Sequence, residues 1–315
     1  MEKTKRNVLI TGASGYLGGR IYTTLSSLGY NCILAARNTE KLTQIFPEAE
    51  CRVLDISSEE TFKSALIKID DIIHLASMNH QDSESNPSLA QKINVDMTDK
   101  LIKTAITSNV QKFIYFSTFH VYGNTQGVIS EKTPPSPLSI YAKTHLEAET
   151  LLLKYHDHIE GKVIRLSNAI GSPLTRETSA WSLVVNDLCR QAVENNNMIL
   201  KSSGLQKRDF IPASSIGHAI DVLLKTKHQE KTPVYNLGSG QTLSIIKMAE
   251  MIRDLCQREL KRKPEITKLS ELPLLETVAD FQYQCKKIRD LGYTPSITIE
   301  DEIRNTLIQL NHDNN

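Results

Sequence analysis

The sequence predicts an α/β protein built on a Rossmann-type doubly wound parallel sheet, with a smaller α/β substrate-binding domain at its carboxyl end. Short apolar runs typical of buried strands alternate with amphipathic helical segments along the first half. A glycine-rich turn joins the first strand to the first helix. From Ser172 the periodicity is irregular, so we divide the chain into residues 1–171 and 172–315, with the second part interleaved with the end of the sheet.

The composition excludes several classes of function. Of 315 residues 40% are hydrophobic, which is enough for a large core, and 37 basic residues nearly balance 36 acidic ones. This balance argues against a nucleic acid or a membrane surface as the main partner. The first apolar run is too short for a secretory signal or a membrane span. Five scattered cysteines predict reduced thiols in a cytoplasmic protein without a metal site.

The stretch NVLITGASGYLGG, residues 7–19, is the strongest local signal. A buried strand at residues 8–10 precedes glycines spaced three apart, and helical periodicity follows. Such a turn lets the backbone approach a pyrophosphate, and the helix start then holds the negative charge. The alternative is an ordinary strand-to-helix turn that is rich in glycine. The predicted dinucleotide contacts here are Gly12, Ser14, Gly15, Tyr16, Leu17 and Gly18.

The end of the second strand, residues 32–36, bears on the choice of dinucleotide. An acidic residue at this point would bind the adenosine ribose hydroxyls, whereas an arginine suits a ribose phosphate. The sequence has no acid here and continues with Arg37. Arg37 therefore favours NADP over NAD, with an ordinary surface arginine as the alternative.

The remaining elements place several loops at one edge of the sheet. In a parallel sheet, ligands lie beyond the carboxyl ends of the strands. The loops after Thr11, Ala36, Leu54, Leu75 and Phe116 should therefore open toward one crevice. Further strands are predicted at residues 51–54, 71–75, 112–116, 163–166 and 234–237, and helices at 58–67, 88–108, 180–194, 214–225, 244–258 and 299–310.

Two polar segments follow the fifth strand. The first is STFHVYG at residues 117–123, and the second is SIYAKTH at residues 139–145, which opens a helix. Tyr141 and His145 are four residues apart, so they share one face of this helix. Another strand then leads to SNAIG at residues 167–171.

Taken together, these motifs resemble the extended short-chain dehydrogenase/reductases, of the nucleotide-sugar epimerase and dehydratase type. The resemblance spans nearly the whole chain and implies an NAD(P)-dependent enzyme that acts on a nucleotide-linked sugar. It adds as cofactor-binding residues Asp55, Ile56, Leu75, Ala76, Ser77, Asn94, Ser117, Tyr141 and His145. It implies Tyr141 and Thr118 as catalytic residues, and as substrate-binding residues Met78, Thr118, Phe119, Asn168 and Arg208. It also implies that the small domain holds the sugar nucleotide, and that the helices after Pro87 and Ile140 form a four-helix homodimer contact.

His145 is one departure from the family pattern. The family has lysine at this place, where it holds the nicotinamide ribose and lowers the tyrosine pKa. An imidazole can donate to a ribose hydroxyl but supplies less steady positive charge at neutral pH. We expect a ribose contact; the alternatives are a packing role and a degenerate, non-catalytic site.

The residues after Thr118 are a second departure, and they narrow the reaction. Dehydratases of the family carry Asp-Glu here, whereas this chain has Phe119 and His120. Without that carboxylate pair 4,6-dehydration is not expected; His120 could exchange protons with the sugar or only hydrogen-bond it. The family's second phosphate-binding arginine is also missing at residues 269–273, where Lys268 is the nearest cation. This leaves the nucleotide base open.

The sequence therefore predicts hydride transfer at C4 of a nucleotide-linked hexose, with Tyr141 exchanging the proton on the sugar oxygen and Thr118 fixing that oxygen. The enzyme would be a 4-ketoreductase or a 4-epimerase, and the sequence does not separate these two. A different class of function is a catalytically degenerate NADP-binding regulator, which only His145 supports.

Overall fold

The computed structural model describes residues 5–123, 126–175, 178–227, 233–269 and 280–313. The described strands, in chain order, are β1 (Asn7–Thr11), β2 (Asn31–Ala36), β3 (Glu50–Val53), β4 (Asp71–His74), β5 (Lys112–Thr118), β6 (Gly127–Ile129), β7 (Glu160–Leu166), β8 (Asn168–Ile170), β9 (Asn197–Leu200), β10 (Lys207–Pro212), β11 (Val234–Leu237), β12 (Thr242–Ser244), β13 (Glu265–Lys268) and β14 (Phe281–Tyr283).

Helices surround these strands. The described α-helices are α1 (Tyr16–Ser27), α2 (Glu40–Ile45), α3 (Glu59–Ala65), α4 (His80–Ser85), α5 (Pro87–Ala90), α6 (Met97–Thr107), α7 (Ile140–Lys154), α8 (Val184–Asn195), α9 (Ala213–Lys225), α10 (Ile245–Leu255), α11 (Lys286–Asp290) and α12 (Ile299–Asp313). Short 3-10 turns occupy Phe119–Tyr122 and Ser179–Ser182, and π-helical segments occupy Gln91–Asp96 and Cys256–Leu260. No helix within the described ranges combines the length and apolar character needed to cross a membrane.

The central sheet has seven parallel strands in the order β3-β2-β1-β4-β5-β7-β11. The strand order reverses between β1 and β4, which is where a doubly wound sheet forms its ligand crevice. Alternate side chains of one strand pack on opposite faces: Val8 and Ile10 belong to one apolar cluster and Leu9 to another. The predicted Rossmann-type parallel sheet is therefore confirmed.

The carboxyl-terminal part alternates between the main sheet and a separate layer. Strand β11 pairs with β7 at the edge of the central sheet, and α9 packs against α1. In contrast, β8, β10 and β12 form a small sheet. A third apolar cluster involves α8, α10 and α12. The division at Ser172 thus separates segments that contribute to both layers.

Several helices differ in detail from their predicted spans. The predicted helix 88–108 consists of α5, a π-helical segment and α6, because a π-helix adds one residue to a turn without ending the helix. The predicted helix 180–194 begins only at Val184, after a 3-10 turn. The predicted helix 244–258 becomes π-helical from Cys256. Residues 270–273, within the segment that lacks the second arginine, lie outside the described residues.

Candidate active site

The glycine turn after β1 allows close backbone contacts. Gly12 has φ +68°, and a Cβ there would lie 2.8 Å from the backbone nitrogen of Ala76. A Cβ on Gly18 would lie 2.5 Å from the Gly12 carbonyl oxygen and 2.6 Å from the Cα of Ala13. A side chain therefore cannot fit at Gly12, where the turn meets the loop after β4, or at Gly18, where α1 packs on the turn. The turn and the start of α1 fit a pyrophosphate.

A cavity of about 400 Å³ lies beside this turn, at the carboxyl ends of β1 to β4. Its side chains include Arg37, which is exposed and lies near the Asp55 carboxylate. The backbone N–H and the hydroxyl of Ser57 hydrogen-bond to Asp55 and lower its pKa, and Arg37 lowers it further. The predicted cofactor residues that line this cavity are Gly12, Ser14, Gly15, Arg37, Asp55, Ile56, Leu75, Ala76 and Ser77.

A second cavity adjoins the first, and a third continues from the second to the small sheet. One, of about 470 Å³, shares Gly12, Gly15 and Ser77 with the first and adds Met78 and His80. The other measures about 410 Å³. Both are lined by Tyr16, Leu17 and Tyr141. The third cavity brings together the predicted residues Ser117, Thr118, Phe119, His120, Tyr141, Asn168 and Arg208.

Thr118 and His120 form a polar pair at the end of β5. The Thr118 Oγ1 accepts the backbone N–H of His120 at 3.2 Å and lies 2.8 Å from the His120 Nδ1. Burial lowers the pKa of His120 to about 4, and the nearby Arg208 and His80 contribute to the same shift. At neutral pH the ring is therefore uncharged. The neutral ring has one N–H that can donate a hydrogen bond and one bare nitrogen that can accept a hydrogen bond or a proton.

Asn168 and Arg208 come from paired strands. Asn168 begins β8, and its side-chain amide donates to the Asp209 carbonyl of β10 at 2.9 Å. Arg208 is half-buried, and burial lowers the pKa of its guanidinium. Among the described residues no carboxylate pairs with Arg208. A desolvated guanidinium with free donors is suited to bind an anionic ligand group.

Two predicted site residues lie behind the cavity walls. Asn94 is buried in the π-helical segment, where its oxygen accepts the Met78 N–H at 2.8 Å and its amide donates to Thr144 at 2.9 Å. Asn94 therefore supports the Met78 loop from within the protein. His145 is also buried, behind the ring of Tyr141, with the two ring centroids 4.5 Å apart. The expected ribose contact of His145 stays a prediction, and it would have to be made from behind the Tyr141 ring.

The sequence profile of the NAD dependent epimerase/dehydratase family matches residues 8–238. This segment is most of the chain, and it includes the strands whose ends line the three cavities. This chain belongs to the NAD-dependent epimerase/dehydratase family. Human dTDP-D-glucose 4,6-dehydratase is 26% identical over 325 residues, covering 96% of this chain and 89% of the relative.

Solved structures confirm the family fold. A UDP-N-acetylglucosamine 4-epimerase from Methanobrevibacter ruminantium M1, in complex with UDP-N-acetylmuramic acid, superposes with a TM-score of 0.84 at 21% identity, covering 99% of this chain and 100% of that one. MoeE5 in complex with UDP-glucose and NAD superposes with a TM-score of 0.81 at 21% identity, covering 98% and 100%. The latter contains NAD, so the NADP preference predicted from Arg37 finds no support in these comparisons.

In this epimerase/dehydratase family member the helix that carries Tyr141 begins with a side-chain cap. Ser139 accepts the backbone N–H of Ala142 at 3.1 Å, which starts α7 one residue before Tyr141. Burial raises the pKa of Tyr141, and a polar contact with Thr118 partly offsets this shift. Burial lowers the pKa of His145 to about 3. His145 thus supplies no positive charge to Tyr141 at neutral pH, rather than the reduced charge that the sequence led us to expect.

Sequence reasoning missed three residues of the site. His80 lies beside the cavity, with its ring centroid 5.7 Å from that of Tyr141 and 6.1 Å from that of His120. Glu149 and Arg165 form a buried ion pair at 2.7 Å below Ser117. In the sequence these residues are only polar residues at inward-facing positions of a helix or strand. Periodicity alone does not distinguish such residues from those on the surface.

Proposed function

We propose that this family member is an NAD(P)-dependent oxidoreductase of nucleotide-linked sugars that transfers hydride at C4 of a hexose, as a 4-ketoreductase or a 4-epimerase. One observation carries the proposal: Thr118, Tyr141 and Arg208 line a single cavity. That cavity adjoins the space beside the glycine turn through walls that share Tyr16, Leu17 and Tyr141. The arrangement suits a ligand that has a diphosphate at one end and a reacting carbon at the other.

Each residue has a role that follows from its chemistry. A bound nicotinamide would take up the hydride from the sugar carbon or supply it. Tyr141 exchanges a proton with the sugar oxygen. The Thr118 hydroxyl, which contacts the His120 ring in this structure, rotates to hydrogen-bond to that same sugar oxygen. Arg208 binds the diphosphate through charge-assisted hydrogen bonds, and Asn168 lies beside it on the paired strand. The π-helical Asn94 holds the Met78 loop that borders the sugar.

The cavity walls favour C4 redox chemistry over dehydration. Elimination of water needs an acid and a base next to the sugar, and the family resemblance implies an Asp-Glu pair for this in the dehydratases. The described residues that line the two sugar-side cavities include no Asp or Glu. Phe119 and His120 occupy the expected places, and His120 is uncharged at neutral pH. The human dehydratase relative makes product analysis the deciding test.

The cofactor proposal places NAD first, because MoeE5 was solved with NAD. Arg37 remains the one reason to consider NADP, since its guanidinium borders the cavity and no described residue hydrogen-bonds to it. Calorimetric titration of the parent and of Arg37→Ala with each dinucleotide decides between them. If the variant loses NADP affinity about tenfold or more but keeps NAD affinity, Arg37 reads a ribose phosphate. Equal effects on both remove that reason.

The experiment for the reaction uses UDP-glucose and dTDP-glucose, with NAD or NADP supplied. Mass spectrometry and NMR of the products separate the alternatives. Epimerisation leaves the mass unchanged and inverts C4, whereas dehydration removes one water. Reduction is tested in the forward sense with the corresponding 4-keto sugars and a reduced cofactor. No turnover in any combination, together with tight dinucleotide binding, would instead favour the regulatory protein.

We further propose that the chain forms a homodimer in the cytoplasm. The helical stretch from α5 to α6 and helix α7 lie side by side, joined by a hydrogen bond of 3.0 Å from Gln91 to Glu147. Leu89 of α5 is 40% exposed, so it is available for an apolar contact. Light scattering on the purified protein tests the dimer, and Leu89→Glu should shift the mass toward that of a monomer.

A further inference from the structure

Two buried histidines in this protein differ in how their ring nitrogens are used. In His74, Nδ1 lies 2.6 Å from the Thr11 hydroxyl and Nε2 lies 3.0 Å from the Thr98 hydroxyl. Thr98 already donates its proton to the Asn94 carbonyl at 2.7 Å. His74 therefore donates from Nε2 to Thr98 and accepts at Nδ1 from Thr11. Every polar atom of this ring has a partner, as is usual for buried groups.

His145 has a partner on only one side. Its Nδ1 lies 2.8 Å from the Tyr115 hydroxyl, whereas its Nε2 is buried and has no hydrogen-bond partner in the described structure. Tyr115 is itself fully buried in β5, and His145 is its one hydrogen-bond partner among the described residues. An unpartnered imidazole nitrogen beside the proton-transfer tyrosine marks a position where a ligand group completes the hydrogen bonding.

Counting protons decides which nitrogen of His145 carries hydrogen. Burial keeps the ring neutral, since it lowers the pKa of His145 to about 3. If Nδ1 carried the proton and donated to Tyr115, both the Tyr115 O–H and the bare Nε2 would be left unsatisfied. If Tyr115 donates to Nδ1, only the Nε2–H is left. The second arrangement leaves one fewer buried polar group without a partner, so it is favoured.

We propose that Tyr115 is a positioning residue that fixes His145 as the neutral Nε2–H tautomer, which leaves this N–H as the hydrogen-bond donor to a nicotinamide ribose hydroxyl. The inference rests on the proposed function for the identity of the ligand, but not for the tautomer. It gives His145 the donor role of the family lysine without the charge. The Tyr141 ring packs against His145 with centroids 4.5 Å apart, so the proposed contact requires this ring to move aside when the cofactor binds.

The surroundings of His145 support a neutral donor. His74 of β4 lies behind Tyr115, and His120 lies on the cavity side; both rings are uncharged at neutral pH because burial lowers their pKa values to about 3 and about 4. Burial raises the pKa of the Tyr115 hydroxyl, and the negative charge of Glu149, one turn along α7 from His145, raises it further. Glu149 is paired with Arg165 and Ser117, so it does not draw a proton onto His145.

The tautomer can be read directly by long-range ¹H–¹⁵N NMR on protein labelled with ¹⁵N-histidine and free of ligand. The His145 signals are those that disappear in His145→Lys. We expect a protonated-type Nε2 and a pyridine-type Nδ1, and in Tyr115→Phe the two signals should shift toward a mixture of tautomers. A protonated Nδ1 in the parent would overturn the proposal, whatever the protein's reaction proves to be.

Calorimetry with NAD, without any sugar, tests the ribose contact. Tyr115→Phe should weaken NAD about three- to tenfold in the parent, but have no effect in the His145→Lys background, because a lysine needs no tautomer. Tyr293→Phe is the matched control, since that buried hydroxyl has no partner in the described structure. An equal loss in both backgrounds would show a purely structural role and refute the proposal. Failure of the parent to bind any dinucleotide would refute the proposed function instead.

Discussion

In the proposed reaction, Tyr141 transfers its proton without a neighbouring positive charge. Burial raises its pKa, and the neutral His145 does not counter this shift. As a base in sugar oxidation, Tyr141 has to lose its proton, so the rate should rise through the alkaline range. As an acid in ketone reduction it has to keep the proton, so the rate should stay level until the same pKa and then fall.

The first prediction follows from the raised pKa of Tyr141. His145→Lys places a cation against Tyr141, which should move the alkaline limb of the pH–rate profile to lower pH by about one unit or more. The measurement is kcat against pH for the parent and the variant on the active sugar nucleotide. Lys143→Ala, an exposed change on the same helix, serves as the control. An unmoved limb in His145→Lys would mean that Tyr141 is not the titrating group.

Arg208 gives the second prediction at this scale. Its guanidinium is partly desolvated and unpaired among the described residues, so its free donors should bind a diphosphate. Arg208→Ala should raise the Kd of UDP by about tenfold or more and leave NAD binding unchanged. Arg190→Ala is a matched control, because Arg190 is paired with Asp187 on the outer side of α8. Equal affinities for UDP in parent and Arg208→Ala would remove Arg208 from the site.

At the scale of elements, helix α7 and strand β7 are joined through a buried ion pair. Glu149 and Arg165 are both buried and share three hydrogen bonds, and Ser117 also donates to Glu149. Removing one partner leaves the other charge buried and uncompensated, which costs about 3–5 kcal/mol. The pair therefore joins the helix that carries Tyr141 to β7, and the Ser117 hydrogen bond joins the same carboxylate to the end of β5 that carries Thr118.

The third prediction concerns this pair. Glu149→Gln should lower the free energy of unfolding by about 3 kcal/mol or more, as measured by urea denaturation. Glu147→Gln, two residues away and exposed, should change it by less than about 0.5 kcal/mol. The double variant Glu149→Leu with Arg165→Met should be more stable than Glu149→Gln alone. A loss in Glu149→Gln no larger than in Glu147→Gln would mean that the pair does not hold α7 in place.

The sequence predicted the strands of the central sheet closely, because most of them are short apolar runs with buried residues on both faces. It did not reveal the π-helical segment at Gln91–Asp96, since the apolar stripe continues across it and only the hydrogen-bond step changes. Nor could it place β11 at the sheet edge beside β7. That pairing depends on how distant segments meet, and one four-residue strand carries no information about its neighbour.

At the scale of the whole molecule, buried titratable groups tie folding to pH. The pKa values of His74 and His145 are lowered to about 3 and that of His120 to about 4, so these rings stay neutral in the folded protein. The unfolded chain takes up protons on them as pH falls below 6.5, which destabilises the fold. Asp209 acts in the opposite sense, because burial raises its pKa to about 6 and the folded state binds that proton first.

The fourth prediction is the net result of these groups. Near pH 5.5 the three imidazoles together take up about three protons when the protein unfolds, and Asp209 releases about one. Unfolding therefore takes up about two protons in total. The free energy of unfolding should then fall by about 3 kcal/mol per pH unit there. Urea denaturation across pH 5 to 7 measures this slope, and His156→Gln, an exposed change, should not alter it. A flat profile would show that the three imidazoles are not held neutral by the fold.

The site was predictable where a motif lies in one continuous segment, as with the glycine turn and the segment that begins at Ser139. Its electrostatics were not. Whether His145 is charged depends on its burial under Tyr141 and on its bond to Tyr115, thirty positions away in the chain. Strand β5 reads only as an apolar run, so nothing in it marks Tyr115 as a hydrogen-bond donor. Long-range packing, rather than residue type, sets these properties.

The most direct test of the account follows hydride from C4 of the sugar. UDP-glucose and dTDP-glucose carrying deuterium at C4 are mixed with the parent enzyme and NAD, and deuterium on the nicotinamide ring is measured by mass spectrometry after quenching. We predict transfer by the parent from at least one of these sugars. In Tyr141→Phe, transfer should be roughly a hundredfold slower at unchanged affinity for NAD and for the sugar nucleotide. Equal transfer by the parent and Tyr141→Phe, or product formation with the C4 deuterium never reaching the nicotinamide, would contradict the account.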